Sequence, residues 1–463
     1  LLIFTLDTAK VIIGDEFRIG LSEKYQCNVK VTFNGRNYFV IWQEWETGDT
    51  FSLLRGVCVS KEGMLLDTPF IFLKYIGAYE PAITYGMGIY LLVFSSYSDG
   101  DTGLYFARID TNLKLLDKLG IKLDDKVGSP AVCFDGTNFL VAWITKVDGG
   151  EELRAVRVTT QGELLGEPVV LLKTEYLGGP QVAFNGNEFM IMFCVGYYTD
   201  VAAIVVDKEL KEINRFYIAS GPYDDGCDYS QAVCTPGDGR DFFIVYDSPA
   251  EGALTVYLTS AGTGGAGSPK VLADEPKLNF ADPIVYDGEN FFVAFAHRPN
   301  WDAGGIIRGA IIDTNLEILQ KFDIAEYPPW GNSGYIGETA CVSDKEGKIL
   351  LVYPKWVTDD FESKRIFGRI IYDTKVLRHK IKVVPNPFQT GCRIKIFATN
   401  DEVFKFYLYD IVGRLRQRSV FTTHLYGEQD FKLTFDNIPN GVYFLEISSN
   451  KGLSYTVKLC KVK

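Results

Sequence analysis

A chain of 463 residues is long enough for two or three domains with a sizeable core. Its 47% hydrophobic, 14% aromatic and 23% charged residues, with 45 glycines, exclude a disordered chain and favour strands joined by tight turns. No apolar run reaches the roughly 18 residues of a membrane-spanning helix, and a net charge of −12 argues against nucleic acid as a partner.

That charge is unevenly placed. From residue 379 onward 13 Lys and Arg face 7 Asp and Glu, a net of +6, which leaves 34 against 52, a net of −18, for the preceding chain. The asymmetry fits plain solubility or contact between opposite surfaces, in one molecule or between neighbours.

In chain order, the first segment, residues 3–19 (IFTLDTAKVIIGDEFRI), resembles the outer half of a repeat seen later at residues 311–324 (IIDTNLEILQKFDI). Residues 11–19 are therefore expected to complete a later repeat, and residues 3–6 to be a surplus edge strand available for pairing with another chain.

A repeat of roughly 50 residues follows, and it dominates the reading. Seven apolar strands end in an aromatic: YFVIW at Trp42, YLLVF at Phe94, FLVAW at Trp143, FMIMF at Phe193, FFIVY at Tyr246, FFVAF at Phe295 and ILLVY at Tyr353, at spacings of 52, 49, 50, 53, 49 and 58. Before most of them stands an Asn-Gly or Asp-Gly turn, as at Asn34, Asp135, Asn185 and Asp287, whose glycine supplies the positive φ of a tight hairpin. A short strand precedes the turn, and two more strands follow the aromatic one. Four antiparallel strands per repeat, the second apolar on both faces, predict a seven-bladed β-propeller over residues 1–378, closed by the N-terminal strand. A solenoid would not supply four strands per repeat, nor a β-sandwich so long and regular a period.

Beyond residue 378 the period breaks. Strands separated by Gly and Pro turns predict a small immunoglobulin-like β-sandwich over residues 379–463. Its motifs are PNP at Pro385, Asn386 and Pro387, D-x-x-G-R at Asp410, Gly413 and Arg414, and I-P-x-G-x-Y-x-L with Pro439, Gly441 and Tyr443. These resemble the type A C-terminal sorting domain of type IX secretion cargo proteins, with Ile438 where Leu is usual. The resemblance implies export across the outer membrane of a Bacteroidetes-like bacterium, the secretion machinery as a partner, and an extracellular or cell-surface location.

Catalytic devices are scarce. Of three histidines, only His297 lies in the ring, and G-x-S-x-G, H-E-x-x-H, Walker and sialidase-type S-x-D-x-G-x-T-W boxes do not occur. The nine cysteines follow no zinc spacing; Cys227 and Cys234 flank one loop and are a disulfide candidate. No metal or cofactor is expected, and the chain is expected not to be an enzyme.

One pattern suggests binding. In a propeller the loop after the second strand and the loop between blades open on one face. Trp45, Trp301 and Trp356 fall in the first kind of loop and Trp330 in the second; Tyr75, Tyr79, Tyr176, Tyr223 and Tyr327 join them. Such a rim suits a sugar or a protein partner, because flat rings bury much area while their polar edges stay wet; a hydrophobic cap over the blade ends reads equally well. The expected function is binding or assembly outside the cell, as an adhesin for surface glycans or as a head-to-tail filament subunit. The alternative is a secreted propeller that binds or degrades polysaccharide.

Overall fold

The computed structural model describes residues 11–45, 52–76, 81–98, 101–118, 120–126, 128–196, 200–220, 231–250, 253–274, 278–299, 304–327, 339–357, 363–378, 381–398, 401–424, 427–435, 437–450 and 453–462. They form strands almost throughout, with one short helix, Thr374–Arg378.

The aromatic-ended segments are the second strands of seven antiparallel units, among them Tyr38–Trp45, Phe139–Val147 and Lys348–Trp356. Each second strand pairs with a first strand on one side and a third strand on the other; in the third unit Ala142 faces Ala131 and Ala155. The first strands meet in a closed cycle, Tyr25–Phe33, Ala82–Gly86, Gly128–Phe134, Leu177–Phe184, Gln231–Cys234, Leu278–Tyr286, Ala340–Ser343 and back to Tyr25–Phe33. Sheets arranged radially around such a ring of inner strands are the blades of a β-propeller.

Blade-to-blade packing explains why the second strands are apolar on both faces. Phe39 and Ile41 of the first blade pack on Tyr90, Leu92 and Phe94 of the second. The second blade turns Leu91 and Val93 toward Phe139, Val141 and Trp143 of the third, which turns Leu140 and Ala142 toward Phe189, Ile191 and Phe193 of the fourth. With side chains alternating along a strand, odd positions serve one neighbour and even positions the other. The seven strand-ending aromatics are between 0 and 3% exposed. Each such side chain contributes about 1.5–3 kcal/mol by leaving water.

The turns on one face repeat a single device. Asn34, Asp135, Asn185 and Asp287 each accept the backbone N–H groups two and three residues on, at 2.7–2.9 Å. Between the third and fourth strands, Asp110, Asp207 and Asp313 accept instead the backbone N–H groups two and four residues on, and Leu113, Leu210 and Leu316 follow at φ near +62°. That backbone is unfavourable for leucine, but the side chains reach the interblade cores.

The ring is closed by the N-terminal segment, as its resemblance to an outer strand predicts. Phe17 and Arg18 pair with Gly368 and Phe367, and Gly14 N–H and Ile19 N–H donate to the carbonyls of Ile370 and Ile366 at 2.8 Å. Lys61 of the first blade reaches Asp344 at 3.0 Å and Glu346 at 3.1 Å in the last, and Lys348 returns to Glu62 at 3.1 Å. The surplus strand expected at residues 3–6 lies outside the described residues.

The second compact unit begins earlier than expected. The chain divides into Ile13–Ile371 and a unit of Tyr372–Lys463 that includes Val11 and Ile12. The Tyr372 ring packs tilted against Phe397, with centroids 5.3 Å apart, and the helix Thr374–Arg378, with Val376 and Leu377 buried, rests on the strand Gly391–Ala398. Packing therefore moves the boundary from residue 378 to 371. This unit is a sandwich of a three-stranded sheet (Lys382–Val384, Gly391–Ala398, Gly427–Thr434) and a four-stranded sheet ordered Leu415–Thr423, Glu402–Asp410, Gly441–Ser449, Ser454–Lys461. Its core holds Phe388, Ile394, Phe404, Phe406, Phe431 and Leu445.

Candidate functional site

Trp45 and Trp356 end second strands rather than lying in loops, Trp45 in the first blade and Trp356 in the last. Ring closure brings them around one residue. Tyr25, opposite Trp45 in register, meets the Trp356 ring edge-on with centroids 6.0 Å apart. All three are half-buried. The ammonium of Lys364 stands 5.7 Å from the Tyr25 ring and 5.8 Å from the Trp356 ring, in cation–π range of both.

A polar network fixes the strands beneath. The Glu44 carboxylate, fully buried beside Trp45, accepts from Ser22 Oγ at 2.6 Å, Gln26 Nε2 at 3.3 Å and Arg55 Nε at 2.6 Å. A charge can stay buried there because a cation and two neutral donors replace its water. Gln26 Oε1 accepts the Ile366 N–H at 3.0 Å, tying the first blade to the last. A Cβ on Gly20 would fall 1.8 Å from that oxygen, so a larger residue there would have to displace the Gln26 amide from its bonds. Arg365 donates to the carbonyls of Lys24 at 2.8 Å and Glu23 at 2.5 Å; burial, then the like charge of Arg18, holds its guanidinium below the usual pKa.

The inner strands of the first four blades line a central cavity of about 450 Å³, bounded by Lys30 and by residues 81–83, 129–132 and 179–182. Pro81, Pro130 and Pro180 stand at matching places around it. An inner strand has a free edge, where a residue without an N–H forfeits no ladder bond.

Other expected site residues are placed differently. Trp301, Trp330, Tyr223 and Tyr79 lie outside the described residues, as do the side chains of Tyr75 and Tyr327; the Tyr327 backbone pairs with Gly305. Tyr176 is half-buried. His297 is buried within the strand Phe291–Arg298. Cys234 is a thiol, donating to the Thr235 carbonyl at 3.8 Å, so it forms no disulfide; Cys227 lies outside the described residues. Tyr25, Lys364, Gln26 and Glu44 are the site residues that sequence reading missed. Polar residues in strand-end positions read as solvated, and nothing local joins residue 25 to residue 356.

In the sandwich, each motif residue holds a turn or an edge. Asn386 donates to the Lys458 carbonyl at 2.8 Å and accepts the Cys460 N–H at 3.0 Å, fastening the PNP segment to the last strand. Asp410 accepts the N–H groups of Val412 and Arg414 at 3.0 Å each and the Arg416 guanidinium at 2.6 Å, while Gly413 takes φ +81°. Those bonds hold the Asp410 carboxyl below the usual carboxylate range, the Arg414 N–H favouring the anion most. The buried Tyr443 hydroxyl donates to the Pro439 carbonyl at 2.7 Å, and Gly441 beside it has φ +154°.

Residues 382–462 match the family model of the secretion system C-terminal sorting domain. The chain is a type IX secretion cargo protein with a C-terminal sorting domain. The cargo is exported to the extracellular space or the cell surface, and its sorting domain implies interaction with the secretion machinery.

No curated protein matches the chain. Among solved structures, a protein of unknown function from Dyadobacter fermentans is similar at 12% identity, over 78% of this chain and 99% of its own, with a TM-score of 0.45. The polysaccharide lyase Uly1 is similar at 10% identity over 78% and 100%, with a TM-score of 0.47. The NanB sialidase of Streptococcus pneumoniae is similar at 11% identity over 79% and 71%, with a TM-score of 0.43. At such identities these likenesses concern the fold and not the chemistry.

Proposed function

We propose that the exported cargo is a non-catalytic binding protein that takes a surface glycan against Tyr25, Trp45 and Trp356. One observation carries the reading: two widely separated tryptophans, a tyrosine and a lysine converge at the seam of the ring. Aromatic faces receive the C–H faces of sugar rings while their edges remain wet, and the buried Lys364, in cation–π range of Tyr25 and Trp356, helps to fix those rings. The network under Glu44 and Gln26 holds the strand ends in place, which reduces the ordering a ligand must impose.

A glycosidase working through paired carboxylates needs two of them roughly 5–10 Å apart across the scissile bond. Among the described residues lining the central cavity, the one ionisable side chain is Lys30.

Affinity electrophoresis through gels containing neutral or acidic soluble polysaccharides tests both parts. Retardation by at least one polysaccharide, with its chain length unchanged after long incubation, is expected. Shortened polysaccharide would turn the reading to a degrading enzyme, and unaltered migration across the panel would remove glycan as the ligand.

A further inference from the structure

The hairpin tip of the sorting domain breaks the rule that turns are polar. Ile411 and Val412 are 70% and 68% exposed, among the most exposed large hydrophobic residues described. They are not loosely held, since the carboxylate of Asp410 clamps the backbone beneath them. The ring's own Asp turns place an apolar residue in the left-handed position and send it into the core, as with Leu113, Leu210 and Leu316. Here Gly413 occupies that position, so the two aliphatic side chains stay outside. Arg414 follows them, exposed.

On the turn face of the propeller, a groove of about 630 Å³ separates the third and fourth blades. Leu165 and Val169, 50% and 39% exposed, line it together with Leu210, and the exposed Glu167 and Glu209 stand among them with one exposed cation, Lys208. Its floor is firm: Arg157 crosses it, bonded to the Asp135 carboxylate and the Lys208 carbonyl and lying 5.2 Å over the Phe189 ring. The groove belongs to the part of the chain with net charge −18, and the tip to the part with +6.

We propose that Ile411 and Val412 of one copy seat in this groove of a second copy, with Arg414 drawn by Glu167 and Glu209. The two surfaces differ, so each copy of a pair keeps one of them unused and the contact propagates head to tail. The rigid tip limits the ordering lost on association.

The test is sedimentation velocity of the full chain over a concentration series, with two double variants. Wild type is expected to form a ladder of oligomers that grows with concentration. Ile411→Asp with Val412→Asp removes the knob, and Glu167→Lys with Glu209→Lys removes the socket. Each variant alone should stay monomeric, its dissociation constant raised at least about a hundredfold, as burial of two aliphatic side chains requires. An equimolar mixture should form pairs and nothing larger, because one knob and one socket remain. A monomeric wild type, variants that assemble like wild type, or a mixture that does not pair would each overturn the proposal. Unaltered thermal melts verify folding; should the Asp variant melt early, Ile411→Ser with Val412→Ser takes its place. The inference is independent of glycan binding, and Trp356→Ala should leave the ladder unchanged.

Discussion

The indole of Trp356, ending the second strand of the last blade, meets Tyr25, opening the first strand of the first blade, edge-on at 6.0 Å. The contact joins the two ends of the ring. The same seam carries the Gln26 bond to Ile366 and the ion pairs of Lys61, so the proposed ligand site and the closure of the propeller are one piece of structure.

Trp356→Ala should weaken retardation by the bound polysaccharide about tenfold to a hundredfold, the range expected when an aromatic anchor is truncated. Trp356→Phe should retain part of the binding, since a face for stacking remains. Gel migration against polysaccharide concentration gives both values. Equal affinity of the Ala variant and wild type would place the ligand elsewhere.

Lys61→Met should destabilise the ring by about 1–3 kcal/mol. The Asp344 carboxylate is 1% exposed, and losing its cation leaves a buried charge; partial exposure of Lys61 keeps the effect below that of a fully buried pair. Denaturant melts measure the size. Hydrogen exchange should rise first in Tyr25–Phe33 and Ala340–Ser343, the two strands at the seam.

Asp117 predicts acid behaviour. Arg108 holds it through Nε at 2.9 Å and Nη2 at 2.8 Å, while Arg108 N–H donates at 2.9 Å. The guanidinium bonds foremost keep its carboxyl below the usual carboxylate pKa. A depressed folded pKa stabilises the protein above the unfolded value, about 3.9, and that stability fades as pH falls through the folded value. Asp117→Asn should therefore destabilise at pH 7 and differ progressively less from wild type below about pH 4. A difference constant down to pH 2 would contradict this.

The thiols should be quiet in the native state. Burial pushes Cys58 and Cys234 up to about 11 and Cys392 up to about 12, and the thiolate is the reactive form. Alkylation at pH 8 followed by peptide mass analysis should leave these three unmodified until denaturant is added. Rapid native labelling of Cys234, or its recovery joined to Cys227, would refute the assignment.

Much of the fold was legible because its signals are local and repeated. Trp42 to Tyr353 mark the second strands by period alone, and residues 11–19 reveal closure by resembling an outer strand. The domain boundary was not legible: Tyr372 continues the strand Lys364–Asp373, and its packing against Phe397 joins it to the sandwich. Trp45 and Trp356 were legible as rim residues, whereas their meeting at Tyr25 depends on closing the circle. Glu44 was illegible as a buried group, because Arg55, its ionic partner, stands on the next strand.

The most direct measurement is a structure of the cargo soaked with an oligosaccharide cut from whichever polysaccharide retards it. The account predicts a sugar ring lying on Trp356 or Trp45, with its glycosidic bonds intact. A sugar held in the central cavity around Lys30, or cleaved there, would contradict it.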